Sequence, residues 1–342
     1  MNRKINKVAI IGSGIMGSGI ACHFANIGIE VLLLDIVPTK LLDTEIKKNL
    51  SLEDKIVRNR IVNESLAKAI KSKPSPLYHR NFKNRITTGN LTDNLEKISE
   101  ADWIIEVVIE NLEIKNQVFK EIEKYRKSGT IITSNTSGIP IKFMNSERSE
   151  DFQQHFAVTH FFNPPRYLKL FEIVPGPNCK NEVIEFLNMF GEKFLGKTSV
   201  LAKDTPGFIG NRIGNFGIQD LFHNMKELDI SIEDLDTLTG PLIGRPKSAT
   251  FRTADLVGID TLSRVSNGIY ENCPDDWYKQ ALYMTEIVFD INGKLVKNLS
   301  NKYWYPGKHS IKFSDNRLTS GIYFVTFFHK KGHETKKITL LK

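Results

Sequence analysis

Cysteine is scarce in this chain, with three among 342 residues, at Cys22, Cys179 and Cys273. Their wide separation matches neither a disulfide framework nor a metal site, so all three are expected to be buried or neutral thiols, and no metal is expected. Long apolar runs are also missing. None reaches the roughly 18 residues of a membrane-spanning helix, which excludes that class of membrane protein. Nucleic-acid recognition is excluded too, despite a formal net charge of +8. Thr285–Lys342 alone holds ten Lys and one Arg against two Asp and two Glu. The main body is therefore nearly neutral, and the basic tail carries no base-reading motif.

Against these absences stands KVAIIGSGIMGSGIA near the start, closed by VLLLD at Val31–Asp35. Lys7–Ile11 is expected as a buried strand and Ile15–Ile27 as a helix, with Gly12, Gly14 and Gly17 between them in G-x-G-x-x-G spacing. The first glycine permits the tight turn, the second lets backbone approach a pyrophosphate, and the third lets helix pack on strand. The pyrophosphate would rest on the helix N-terminus, where free N–H groups and the helix dipole favour negative charge. Asp35 ends the second strand, placed to accept bonds from both ribose hydroxyls and to repel a 2′-phosphate, which favours NAD over NADP. Arg3, Lys4 and Lys7 before an apolar run also fit a signal peptide, but four glycines interrupt the run and its βαβ pattern already accounts for it.

The length allows two or three domains. Pro38–Asn49 and Leu52–Ser72 have helical patterning, with Ser51 and Asp54 as a partial capping box for the second. That helix sets an apolar stripe against a basic face of Lys55, Arg58, Arg60, Lys68 and Lys71, each singly a solvated charge and together an attraction for a phosphorylated substrate. Strands are expected at Ile86–Gly89, Trp103–Val108, Gly129–Ser134, Phe156–Phe162, Leu170–Val174 and Thr198–Leu201, with helices at Glu113–Tyr125 and Glu182–Phe194. This alternation argues a Rossmann-like doubly wound α/β domain over residues 1–202 with a helical insertion at 38–84. A helical stretch opens at Asp204-Thr205-Pro206 and runs over 203–284. Residues 285–342 become short strands (Ile287–Asp290, Leu295–Lys297, His309–Phe313, Gly321–His329, Glu334–Leu340) parted by turns such as Asn292-Gly293.

His160 ends an apolar strand in THFFNPP, and Glu172 lies on the next strand in LKLFEIVP. If those strands fold back on each other, the carboxylate fixes the imidazole tautomer and stabilises the imidazolium, which suits a general base. Spacing alone fits a structural His–Glu pair equally well. Asn211 could bond a reacting oxygen from its helix, although an ordinary surface Asn is the simpler reading. Ser137 in SNTSGIP follows the fifth strand at its carboxyl end, where open α/β sheets bind ligands; serine there is also a common turn residue. His23 and His79 are read as structural.

Together GSGIMGSGIA, VIENLEIK (Val108–Lys115), SNTSGIP, HFFNPPRYLKLFEIVPG and KDTPGFIGNR resemble, in order and spacing, the 3-hydroxyacyl-CoA dehydrogenase family. LTGPLIGRPKSATFRTADLVGID (Leu238–Asp260) resembles the start of that family's helical C-terminal domain, and HFFNPPRY resembles the form in bacterial members that precede a hydratase domain. The resemblance runs from about Lys7 to Asp276. It implies an NAD-dependent oxidoreductase that converts (S)-3-hydroxyacyl-CoA to 3-oxoacyl-CoA in fatty-acid β-oxidation, with His160 as base, Glu172 as its partner, and Ser137 and Asn211 on the reacting oxygen. Glu110 and Lys115 would lie near cofactor and substrate, and a homodimer would form through the helical domain. After ENCPDDWY the family's later helices are missing, so that domain is expected to be partial, with exposed apolar surface and a compromised dimer interface. The tail instead resembles a type IX secretion sorting module with an immunoglobulin-like all-β fold, and the two halves meet near Ala281–Thr285. The expected location is cytoplasmic. The alternatives are an inactive NAD- or acyl-CoA-binding protein and an exported protein carrying a sorting signal.

Overall fold

The structure, a computed structural model, describes residues 3–273 and the segments 287–290, 295–298, 321–329 and 332–340. The chain divides into one compact unit over Met1–Gly210 and a second over Asn211–Lys342.

The first unit is built on eight strands: β1 (Lys7–Ile11), β2 (Glu30–Asp35), β3 (Ile86–Asn90), β4 (Trp103–Glu106), β5 (Ile131–Ser134), β6 (Phe156–Phe161), β7 (Leu170–Pro175) and β8 (Thr198–Leu201). They lie in the order β3-β2-β1-β4-β5-β6-β7-β8. The six strands β1 to β6 are parallel, β7 runs antiparallel to β6, and β8 is parallel to β7. Four helices are used below: α1 (Ile15–Asn26), α2 (Arg60–Lys71), α3 (Leu112–Tyr125) and α4 (Asn181–Lys193). Successive side chains on a strand point to opposite faces, and β1 shows the consequence. Val8 and Ile10 join one core with Ile20, Phe24, Val62 and Phe190, while Ala9 and Ile11 join another with Phe119, Ile122 and Phe156. A sheet covered on both faces needs near-continuous apolar strands, which is why these strands do not alternate with polar residues. Each fully buried side chain of this kind contributes about 1.5–3 kcal/mol.

Local chemistry corrects several expected boundaries. β4 stops at Glu106, because the Glu106 carboxylate accepts the Val108 N–H at 2.7 Å. The two long helices expected over Pro38–Ser72 are reduced to short turns at Asp43–Ile46 and Lys55–Arg58 and one full helix, α2. Asn49 has φ 55°, a left-handed conformation that ends the first piece. Asn59 breaks the second, its side-chain oxygen accepting from the buried Asn90 amide at 2.9 Å. Half of the expected capping box forms, with Ser51 N–H donating to Asp54 at 2.6 Å. The helix expected from Asp204 starts at Gly210. Asp204 instead accepts the Ile141 N–H at 2.9 Å, capping a different segment.

The second unit takes in α5 (Gly210–Glu227) from Asn211 onward, followed by α6 (Ile232–Leu238), α7 (Phe251–Val257) and α8 (Ile259–Asn272). Phe222, Ala254 and Leu262 form its small core. Leu242 and Leu256 are 73% and 76% exposed. Strands β9 (Ile287–Asp290), β10 (Leu295–Asn298), β11 (Gly321–His329) and β12 (Gly332–Leu340) make an antiparallel sheet in the order β10-β9-β11-β12. A sandwich needs a second sheet, and one sheet is found among the described residues. The strand expected at His309–Phe313 and the junction at Ala281–Thr285 lie outside them.

No helix among the described residues is long and apolar enough to cross a membrane. None of the described residues forms a group of three or more His, Cys, Asp or Glu able to hold a metal ion. The three cysteines are free, and burial pushes the Cys22 and Cys179 thiols up to about 12. His23 is buried with Nε2 3.0 Å from the Leu195 carbonyl, a structural position in agreement with its reading from sequence. His79 likewise serves structure, its Nδ1 accepting the Asn81 N–H at 3.3 Å.

Candidate active site

Parallel strands end on the same edge of a sheet, so the candidate residues that follow β1, β2, β4 and β5 gather at one rim. The glycine turn leaves β1 there. Gly12 has φ 105°, and a Cβ on it would stand 2.6 Å from the Val107 carbonyl oxygen. A Cβ on Gly17 would stand 1.9 Å from the Gly12 oxygen, which is the close helix–strand approach the third glycine exists to allow. Gly14 faces open space, with nothing within 4 Å of a Cβ position, and no side chain caps the start of α1. A cradle with free helix-start amides and a vacant side at its middle glycine fits a dinucleotide pyrophosphate.

Asp35 is already engaged. Its Oδ2 accepts from Ser13 N–H at 2.6 Å and from Ser13 Oγ at 2.5 Å, and its Oδ1 accepts from Ile36 N–H at 2.7 Å. A carboxylate offers about four acceptor positions. Gripping both ribose hydroxyls, as expected from the sequence, therefore requires release of one of these bonds. The Ser13 contact is one that reasoning from sequence missed, and the serine inside the glycine turn was its only signal.

Beyond β4 and β5 lies a charged cluster. The Lys115 ammonium, 1% exposed, bonds Glu106 at 2.8 Å and lies 3.3 Å from Glu110. Glu106 also accepts from Ser134 Oγ at 2.5 Å. Burial raises the Glu106 carboxyl above the ordinary carboxylate value, against the opposing pull of Lys115, Ser134 and the Val108 N–H. Glu110 accepts from Ser137 N–H at 3.1 Å and from the Thr136 hydroxyl. Lys115, expected near cofactor and substrate, is buried with its charge directed at Glu106 and Glu110. Ser137 is half-buried, held by Glu110 and by the Gly207 N–H on its own carbonyl at 3.2 Å.

His160 and Glu172 are direct register partners on the antiparallel pair β6 and β7. Nδ1 of the imidazole lies 2.7 Å from Glu172 Oε2, and the other carboxylate oxygen accepts the amides of Ile209 at 2.9 Å and Gly210 at 2.7 Å. Burial pushes the Glu172 carboxyl up, but the bonds from His160 and these two amides outweigh it and hold the group below the ordinary carboxylate value. The acid is thus ionised and fixed. It orients the ring so that Nε2 is the nitrogen left for proton exchange. Phe162 and Phe208 flank the imidazole, with ring centroids 4.4 and 5.7 Å away. The two amides are a functional contribution that the sequence did not disclose. Asn211 stands in the first turn of α5, in the second unit.

Three sequence families match the chain: the 3-hydroxyacyl-CoA dehydrogenase NAD-binding domain over residues 7–205, that family's C-terminal domain over 207–302, and a secretion system C-terminal sorting domain over 278–341. The last two overlap. A Bacillus subtilis protein named "Probable 3-hydroxyacyl-CoA dehydrogenase" is 51% identical over 276 residues, which is 81% of this chain and 35% of that one. The chain therefore spans about a third of that relative's length. The human mitochondrial hydroxyacyl-coenzyme A dehydrogenase is 32% identical, covering 78% of this chain and 81% of its own. Among solved structures, (S)-3-hydroxybutyryl-CoA dehydrogenase from Ralstonia eutropha superposes with a TM-score of 0.64 at 27% identity, covering 82% of this chain and 92% of that one.

Proposed function

The chain belongs to the 3-hydroxyacyl-CoA dehydrogenase family, and on that premise we propose that it oxidises (S)-3-hydroxyacyl-CoA to 3-oxoacyl-CoA with NAD, as a fatty-acid β-oxidation enzyme. The observation that carries the reading is the buried His160–Glu172 pair, set 2.7 Å apart on adjacent strands that belong to the same sheet as the glycine turn. Bound NAD supplies a hydride acceptor. Gly12, Gly14, Gly17 and Asp35 would hold it, with Glu110 and Lys115 nearby. His160 Nε2 takes the proton of the 3-hydroxyl as C3 loses its hydride, and the new C=O forms from the O–H bonding pair. Glu172 stabilises the imidazolium until that proton passes to water. Resemblance to the family assigns Ser137 and Asn211 each to the reacting oxygen, where a hydrogen-bond donor favours the developing carbonyl.

Reduction of acetoacetyl-CoA by NADH tests this reading: loss of NADH absorbance that requires the CoA thioester is expected, and an inert protein would overturn it. Asp35→Ser tests the cofactor assignment. Losing a charge-assisted bond of about 1.5–3 kcal/mol is expected to shift the NADP-to-NAD preference by about tenfold or more, measured as the ratio of kcat/KM values. An unchanged ratio would remove Asp35 from cofactor selection.

The domain division proposed is 1–202, 203–284 and 285–342, with an immunoglobulin-like tail and with homodimerisation compromised by the partial helical domain. NAD and CoA thioesters are intracellular reactants, which supports a cytoplasmic place of action. The sorting-domain match over 278–341 supports export as a second reading. Cell fractionation separates the two, since an exclusively cytosolic pool excludes export.

A further inference from the structure

Among the described residues, Lys197 is a buried cation that stability explains poorly. It is 7% exposed, and its ammonium meets no carboxylate among the described residues. It donates to two backbone carbonyls, that of Leu168 at 2.6 Å and that of Pro165. Burial pulls the ammonium down to about 8. An amine whose folded value lies below its unfolded value weakens the fold at neutral pH, since the unfolded chain holds the proton more tightly. An apolar side chain in its place would remove that cost and leave the two carbonyls without their donor, so the two effects oppose each other.

The two carbonyls belong to one turn. Tyr167 and Leu168 both donate their N–H groups to the Pro164 carbonyl, at 3.0 and 3.1 Å. This turn begins four residues after His160. Its outer side grips the end of the helical insertion: Arg166 donates to the carbonyls of Ser75 at 2.7 Å and Leu77 at 3.1 Å, and the Tyr167 hydroxyl donates to Ser75 at 2.8 Å. The insertion carries the exposed Lys55, Lys68 and Lys71, while Arg58 and Arg60 of the expected basic face pair with Glu53, Asp93 and Glu45, which leaves the lysines to attract phosphate.

We propose that Lys197 is a positioning residue for the acyl-CoA substrate, fixing from within the turn that joins the base at His160 to the Ser75–Leu77 end of the insertion. The inference rests on the dehydrogenase reading above. Acyl-CoA is expected to feel the loss more than the dinucleotide, because the glycine turn and Asp35 make none of these hydrogen bonds; α1 meets the linkage only at its middle and far end, through Gly19 against Pro165 and Asn26 on Pro76 and Tyr78.

Lys197→Met is the test, assayed with acetoacetyl-CoA and NADH beside the parent protein. The expected result is a fall of about tenfold or more in kcat/KM for acetoacetyl-CoA, carried mainly by KM. NADH affinity stays within about twofold, and the melting temperature stays close to the parent's, because relief of the buried charge offsets the two lost hydrogen bonds. A parent that turns over while Lys197→Met keeps kcat/KM within twofold overturns the inference alone; an inactive parent overturns the dehydrogenase reading instead. An activity loss that only follows a lowered melting temperature also overturns it. If the variant does not fold, Arg166→Gln breaks the other end of the linkage. A KM-selective loss there upholds the inference, and an unchanged KM contradicts it.

Discussion

His160→Gln is expected to lower turnover of acetoacetyl-CoA by about 10²–10⁴-fold, the span that a positioned general acid–base contributes. Glutamine keeps a polar side chain of similar reach but cannot exchange a proton. NADH binding, followed by fluorescence titration, should stay within about twofold, because the dinucleotide cradle lies on β1 and β2 while His160 lies on β6. Glu172→Gln should show a related defect. The amide introduced there could still bond Nδ1 but would not stabilise the imidazolium, and one of its two polar atoms could no longer accept from the Ile209 and Gly210 amides. Near-normal turnover in His160→Gln would remove the histidine from the chemistry whatever its geometry.

Lys115→Met should have the largest effect on stability. Glu106 is 0% exposed and Lys115 1%, and breaking a buried pair by removing one partner costs about 3–5 kcal/mol. At about 2–4 °C per kcal/mol for a unit of this size, the melting temperature should fall by about 10 °C. The sign of the pH dependence follows from Glu106. Its carboxyl is raised by burial even with Lys115 present, and without the cation it rises further. A raised folded value means that the acid is tolerated while protonated and costs stability as it ionises. The deficit of the variant should therefore be small near pH 5 and widen toward pH 8. The double variant Glu106→Leu, Lys115→Met should recover much of the loss, since well-packed apolar groups can replace a buried ion pair. A single variant as stable as the parent across that range would mean that the pair is not sealed from water.

The parts legible in the sequence were those written locally. The glycine spacing sits within one strand–turn–helix, and its φ and close-approach demands leave few alternatives at Gly12 and Gly17. The His160–Glu172 pair was legible because one turn separates the two strands, so register follows from a short connection. Interactions spanning long stretches of chain were not legible. Glu172 depends on the amides of Ile209 and Gly210, some 37 residues on, and backbone donors leave no mark on residue type. The burial of Lys115 and Lys197 is likewise a product of the fold, and no local pattern of residue types marks either lysine as buried. The helical insertion kept its apolar stripe but lost its continuity at Asn49 and Asn59. There a left-handed residue and a side-chain bond to buried Asn90 override helical propensity.

The most direct measurement follows the hydrogen on C3. Incubating the protein with NAD and (S)-3-hydroxybutyryl-CoA deuterated at C3 should give NADH carrying that deuterium, read by mass spectrometry, and the (R) substrate should give none. NADH without the label, or no NADH from the (S) thioester, would contradict hydride loss from C3 coupled to removal of the proton on its hydroxyl.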